Sequence, residues 1–238
     1  VSIDISSEST NFITDIFISI YFFWSYHSSQ KDVFDMTTGA RNIQRLLDSA
    51  KQAGLYVIAR PGPYVNAETN AGGFALWTTK GSLGRSRQNN PEYFAAWRPW
   101  VREIASILKN NQITQGGPVI LNQLENELKQ SVYSPTDSRT QYMEELKKAF
   151  REEGIVVPLT HNEAGMRGSP SWSTDYKNPS GVGTVNIYGL DSYPGSLGCG
   201  NKDQGFKLVR TYDQWFSNSS LNQPRYMPEF EAGKSGRM

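Results

Sequence analysis

Residues 116–127, GGPVILNQLENE, decide the architecture. Gly116, Gly117 and Pro118 mark a turn, a short apolar run follows, and the run ends in two carboxylates flanking an amide, Glu125-Asn126-Glu127. A short apolar run bounded by turn residues reads as a strand buried on both faces, the kind found in parallel sheets. Carboxylates are rarely buried unpaired, so their place at the end of such a strand marks a site or a return to solvent.

The same pattern recurs on both sides of this segment. Candidate strands run from Phe12 to Trp24 (in its second half), Leu55 to Arg60, Pro118 to Leu124, Ile155 to Thr160, Thr184 to Leu190 and Arg225 to Phe230. Stretches of helical period separate them. Ile43, Leu46, Leu47, Ala50 and Ala53 fall on one helical face, and Gly54 follows where a left-handed cap is expected. A second helix starts at Pro91, a favoured first-turn residue, and runs through Trp97, Trp100, Ile104 and Leu108. A third runs from Ser138 through Tyr142, Leu146 and Phe150 to Gly154, and a shorter one holds Tyr212, Trp215 and Phe216. Strands alternating with helices predict an α/β fold of βα units around a parallel sheet, a (β/α) barrel forming a single domain over residues 1–238 with no linker and no second domain. Six strands leave an eight-stranded barrel unclosed, so a partial barrel, truncated at both ends, is expected.

Composition narrows the function. With 238 residues, 37% of them hydrophobic, the chain can bury one sizeable core. A net charge of +1 supplies no field to draw nucleic acid or an anionic membrane, so neither is expected as a partner. Six Trp and 12 Tyr suit stacking on flat apolar faces of a neutral ligand, although most are expected to pack the core. The single cysteine, Cys199, has no internal partner, and His27 and His161 lack metal-ligand spacing, so no metal or other cofactor is expected. No apolar run approaches the roughly 18 residues of a membrane span, and the N-terminal stretch lacks a signal-peptide pattern. Asn218-Ser219-Ser220 is a formal glycosylation sequon, a common triplet that matters only in a secreted protein.

Active sites of barrels lie where strands end, and three carboxylates stand there: Glu68, Glu127 and Glu229. The blocks around them, ARPGPYVNAE, NAGGFALW, GGPVILNQLENE, IYGLDSYP and YMPEFEAG, resemble in sequence and order those of the family 35 β-galactosidases, over roughly Tyr21 to Gly233. The resemblance implies a TIM-type (β/α)8 barrel, hydrolysis with retention of configuration, release of terminal β-linked galactose from oligo- or polysaccharides, and an extracellular setting. It assigns Glu127, after the fourth barrel strand, as acid/base and Glu229, after the seventh, as nucleophile. Asn126 would bond the hydroxyl next to the reacting carbon. Asn66, Ala67 and Glu68 would line the pocket for the terminal galactose, and Tyr21 and Tyr193 match family binding positions. In that numbering the first candidate strand is the second of eight, which leaves the first and last absent.

Retaining hydrolysis needs two carboxylates about 5 Å apart, one to attack the anomeric carbon and one to protonate the leaving oxygen. An ionised Glu229 nearby is expected to raise the pKa of Glu127 and keep it protonated as the acid; once Glu229 is glycosylated, that pKa falls and Glu127 can act as base. Trp77 could stack on a sugar ring or pack beneath its loop. Glu163 is read as a loop hydrogen-bonding residue and Asp191 as structural. Glu231 competes with Glu229, and the family pattern selects Glu229. Two features depart from the family: Leu128 stands where an aromatic residue is usual, and HSSQ (27–30) lacks an acidic residue common there. Cys199 matches a disulfide position whose partner would lie beyond Met238. Alternatives are an inactive fragment or galactose-binding remnant, and a related barrel glycosidase with another terminal sugar.

Overall fold

The computed structural model describes residues 17–81, 83–130, 132–166, 172–176, 178, 180–193 and 209–230. Five parallel strands form one sheet in chain order, β1 (Phe17–Tyr21), β2 (Tyr56–Arg60), β3 (Val119–Gln123), β4 (Leu159–Ala164) and β5 (Ile187–Asp191). A one-turn helix, α1 (Trp24–His27), follows β1. Three longer helices make the crossovers: α2 (Ile43–Gln52) to β2, α3 (Pro91–Leu108) to β3 and α4 (Ser138–Glu152) to β4. A last helix, α5 (Tyr212–Ser219), lies beyond β5. Parallel neighbours need such crossovers because a tight hairpin can only reverse the chain.

The helices begin and end where local chemistry directs. The Asn42 side chain accepts from Arg45 N–H at 2.8 Å to cap α2, and Asn90 accepts from Tyr93 N–H at 3.0 Å to cap α3, with Pro91 just inside. Asp137 caps α4 at 2.8 Å. Gly54 and Gly154, at φ +70° and +92°, take the left-handed conformation just beyond α2 and α4. Leu46 and Ala53 are exposed, so the apolar stripe of α2 is narrower than expected: Ile43, Leu47 and Ala50 alone are buried.

Alternate strand residues divide the sheet into two faces. Val57, Ala59, Val119, Leu159, Tyr188 and Leu190 pack against Leu47, Trp97, Trp100, Ile104, Tyr142 and Leu146 of the helices to form the core. Each large apolar side chain so enclosed contributes about 2–3 kcal/mol. The intervening positions carry the polar residues Arg60, Asn162 and Asp191, and an irregularity in the β2–β3 register after Val119 brings Gln123 to the same face.

Prolines shift two strands from their expected places. Val156 and Val157 donate their N–H groups to Gln112 Oε1 at 2.6 and 3.0 Å, and Pro158 has none, so β4 starts at Leu159 rather than at Ile155. This places Glu163 inside the strand instead of in a loop. The segment expected as a sixth strand does run beside β5, with Leu190 N–H to Tyr226 O at 3.0 Å, Ser192 N–H to Glu229 O at 2.9 Å and a parallel bridge from Ser192 to Phe230. Pro228 interrupts its ladder, leaving a bridge in place of a regular strand. β1 ends at Tyr21, because Trp24 turns into α1 and is fully buried.

Gly189 is required by close approach. A Cβ there would lie 2.6 Å from both Pro228 Cδ and Tyr226 Cδ1. Gly189→Ala is therefore expected to cost about 1–3 kcal/mol through overpacking. A urea midpoint unchanged at constant slope would show that the Tyr226–Glu229 segment yields freely.

Candidate active site

The polar side chains of the sheet converge at the carboxyl ends of the strands. Tyr21 closes β1, Arg60 closes β2, Asn162 lies late in β4, Asp191 closes β5, and Glu229 stands two residues beyond Met227 in the bridged segment. The Glu229 carboxylate accepts from Arg60 Nη2 at 2.5 Å, Tyr21 Oη at 2.7 Å, Tyr193 Oη at 2.5 Å and Asn162 Nδ2 at 3.3 Å. Arg60 is buried, its guanidinium lies 4.1 Å from the Tyr21 ring centroid, and the same Nη2 donates to Asn126 Oδ1 at 2.6 Å.

Burial pushes the Glu229 carboxyl up, but the charge of Arg60 and the hydrogen bonds from Tyr193, Tyr21 and Arg60 outweigh it and hold the group below the usual carboxylate range. Glu229 is thus ionised at neutral pH. Tyr21 and Tyr193 are pushed up by burial and by their bonds to Glu229, so both remain phenols that donate. Asp191 is driven the other way. Burial first, and then the charge of Glu229, raises it to about 8.

Glu127 stands on a loop built by its neighbours. Glu125 and Glu127 have φ of +59° and +47°, a left-handed conformation that costs non-glycine residues roughly 1–2 kcal/mol each. Arg87 holds that turn: it bonds Glu125 through Nε at 3.1 Å and Nη2 at 2.7 Å, and Asn126 O at 2.6 Å, while stacking 3.8 Å over the Tyr64 ring. Tyr142 Oη and Asn126 N–H also donate to Glu125, at 3.1 and 2.9 Å. Glu127 N–H donates to Asn162 Oδ1 at 3.0 Å, which puts the two carboxylate-bearing segments on one asparagine. Beneath the loop His161 meets Leu124 O at 2.7 Å and Leu128 O at 3.1 Å.

The expected site residues therefore fall into two groups. Glu229, Tyr21, Tyr193 and Asn126 form one hydrogen-bonded cluster, with Glu127 beside it through Asn162. Asn66, Ala67 and Glu68 make a left-handed turn of three successive residues, φ +54°, +46° and +50°, whose hydrogen bonds are local. Glu68 is exposed and borders an open cleft with Phe23, Tyr26 and Leu76; Phe23 stacks on Tyr21 at 6.4 Å. Trp77 packs edge-on against Trp24 at 5.5 Å and donates to Ser28 Oγ at 3.0 Å, as a residue packed beneath its loop would. Glu163 is buried and accepts from Tyr188 Oη at 2.5 Å. Leu128 is buried, and its carbonyl accepts from Trp172 Nε1 at 2.6 Å. Cys199 and Glu231 lie outside the described residues. Sequence reading missed Arg60, Arg87 and Asn162. Only Arg60 carried a signal, as a charge ending the apolar run LYVIAR.

Two buried groups at this end oppose each other in acid stability. Burial lowers His161 to about 4 while the two carbonyls pull it back, so between about pH 6.5 and 4 the unfolded chain takes up a proton that the folded chain refuses. Stability falls there as pH falls. Asp191 binds its proton only in the folded state from about pH 4 to 8, so its contribution falls as pH rises. Each slope is about 1.4 kcal/mol per pH unit, and between pH 5 and 6 they cancel. The wild-type urea midpoint is expected to decline from pH 7 to 8. Asp191→Asn should lose the alkaline decline and become acid-labile between pH 6 and 5; parallel profiles for the two proteins would contradict this.

A parallel α/β sheet with carboxylates at its strand ends is an arrangement that barrel glycosidases use. Solved structures carry the same fold: an endo-glycoceramidase II from Rhodococcus sp. superimposes with a TM-score of 0.57 at 15% identity over 87% of this chain and 54% of that one. A psychrophilic glycoside hydrolase family 10 endo-β-1,4-xylanase gives 0.53 at 12% identity over 86% and 62%. The five strands are an arc of such a TIM-type barrel. Residues 15–235 match the profile of glycosyl hydrolases family 35, and the chain belongs to that family. Proteins described as probable β-galactosidase C from Aspergillus flavus and Aspergillus oryzae are each 62% identical to it over 216 residues, 91% of this chain, and one from Sclerotinia sclerotiorum is 60% identical. The chain spans about a fifth of the length of these relatives, 22% in each case.

Proposed function

We propose that residues 1–238 form part of the catalytic barrel of a retaining exo-β-galactosidase that releases terminal β-linked galactose from oligo- or polysaccharides outside the cell. The observation that carries this reading is the Glu229 carboxylate, held ionised by Arg60, Tyr21 and Tyr193 beside a second carboxylate-bearing loop. A nucleophile must be an anion with its attacking oxygen oriented, and these donors orient Glu229 without protonating it. Glu127 is the acid that protonates the departing oxygen and then the base that activates water. Asn126 holds the hydroxyl adjacent to the reacting carbon. Asn66, Ala67, Glu68, Tyr21 and Tyr193 line the galactose pocket. The names of the relatives support galactose as the sugar.

The deciding assay is nitrophenol release from nitrophenyl-β-galactoside and nitrophenyl-β-glucoside, with Glu127→Gln in parallel. Nitrophenolate leaves without acid help, so the variant is expected to form the glycosyl-enzyme and stall at hydrolysis. Azide, which needs no general base, should then restore turnover and yield β-galactosyl azide. A folded wild-type chain that hydrolyses neither substrate would leave a galactose-binding remnant, and preference for glucoside would reassign the sugar.

A further inference from the structure

We propose that Asp191 and Asn162 are a positioning pair: the Asp191 carboxyl dictates which way the Asn162 amide faces, and that amide holds the Glu127 backbone and the Glu229 carboxylate in one arrangement. Asn162 is fully buried, with two N–H donors and one carbonyl oxygen to distribute. Its oxygen accepts from Glu127 N–H at 3.0 Å and Gln123 Nε2 at 2.9 Å. Its nitrogen faces three acceptors, Asp191 Oδ2 at 2.5 Å, Asn126 Oδ1 at 3.2 Å and Glu229 Oε1 at 3.3 Å. The shortest contact takes one hydrogen, and the other is shared between Asn126 and Glu229.

Turning the amide over would set its oxygen against all three of those oxygens and its N–H groups against the Glu127 N–H and Gln123 Nε2. Orientation is therefore all or none, and the shortest bond, to Asp191, does most to select it. Asp191 suits that task alone: it is fully buried, and Oδ1, its other oxygen, makes no hydrogen bond among the described residues. The next residue, Ser192, donates its N–H to Glu229 O at 2.9 Å, so Asp191 is also fixed relative to the Glu229 backbone. Raised to about 8, the carboxyl is protonated at pH 7; with that proton on Oδ1 it offers Oδ2 as the acceptor without adding a second anion beside Glu229. An asparagine at 191 can offer the same neutral acceptor; a leucine cannot.

The test compares Asp191→Leu with Asp191→Asn by kinetics and by the backbone amide resonance of Glu127. Misplacing a reacting group by about 1 Å can cost on the order of 100-fold. Asp191→Leu is expected to lower kcat about 10- to 100-fold with KM within about twofold, and to displace the Glu127 amide resonance. Asp191→Asn should restore all but a few-fold of kcat and return that resonance. Wild-type kcat and an unmoved Glu127 resonance in Asp191→Leu would overturn the pairing, as would equal losses in the two variants. If Asp191→Leu does not fold, Asp191→Thr and Asp191→Val make the same comparison with smaller side chains. The kinetic measurement rests on the glycosidase reading. The resonance does not, so with an inactive wild type the spectra still decide the pair.

Discussion

Glu229→Gln is expected to lower turnover of nitrophenyl-β-galactoside by on the order of 10⁴-fold or more, the scale of losing a covalent nucleophile. The substitution keeps size and shape but removes the anion. An amide cannot form the glycosyl ester, and its nitrogen now faces Tyr193, whose hydroxyl otherwise donates to Glu229 Oε2 at 2.5 Å. Arg60, with 2% of its side chain exposed, loses the carboxylate to which it is ion-paired. A lower melting temperature should accompany the loss of rate, because removing one partner of a buried pair strands the other. Substrate affinity is expected to survive, since the phenols of Tyr21 and Tyr193 remain. Turnover within tenfold of wild type would remove Glu229 from the chemistry and point to the second carboxylate on its segment, Glu231.

Arg87→Ala is expected to destabilise the fold by about 3–5 kcal/mol, the cost of leaving a buried carboxylate without its cation. The Glu125 side chain is wholly inaccessible, and Arg87 supplies the one cation paired with it among the described residues. Two hydrogen bonds, from Tyr142 Oη and Asn126 N–H, would remain and cannot replace a charge. The same guanidinium holds Asn126 O, so the strained turn that presents Glu127 loses its clamp and activity should fall as well. Adding Glu125→Gln to Arg87→Ala removes the stranded charge and should recover part of the stability, a coupling readable in a double-mutant cycle. Chemical denaturation of the four proteins measures it. A single-variant loss below about 1 kcal/mol would place the pair among surface bridges of little weight.

Much of the frame was legible along the chain. Periodicity and caps marked α2, α3 and α4 closely, because Pro91, Gly54 and Gly154 act on the backbone of their own neighbours. Apolar runs marked β1, β2, β3 and β5, because a strand covered on both faces must be largely apolar along its length. The strand-end carboxylates Glu127 and Glu229 were visible as charges where burial stops. Prolines blurred this reading: Pro158 delayed β4 and moved Glu163 indoors, and Pro228 reduced the sixth run to a single bridge. The apolar stripe of α2 is narrower than its spacing implies, Leu46 and Ala53 being exposed, since helical spacing reports a face and not how much of it is covered.

Roles that depend on partners were not legible. Asp191 reads as structural and Asn162 carries no signal, because nothing near either in sequence says that Glu127 N–H, Asn126 and Glu229 surround them. Sequence alone determined the α/β alternation and the caps, which arise from residues a few positions apart, and the family blocks, which are read directly from residue order. The tertiary structure alone decided that Arg60 pairs with Glu229, that Arg87 neutralises Glu125 and that one asparagine joins both carboxylate segments. The physical reason is register: side chains from separate strands meet only after parallel pairing has set each strand's height, and low exposure then makes every unpaired charge costly enough to select its partner.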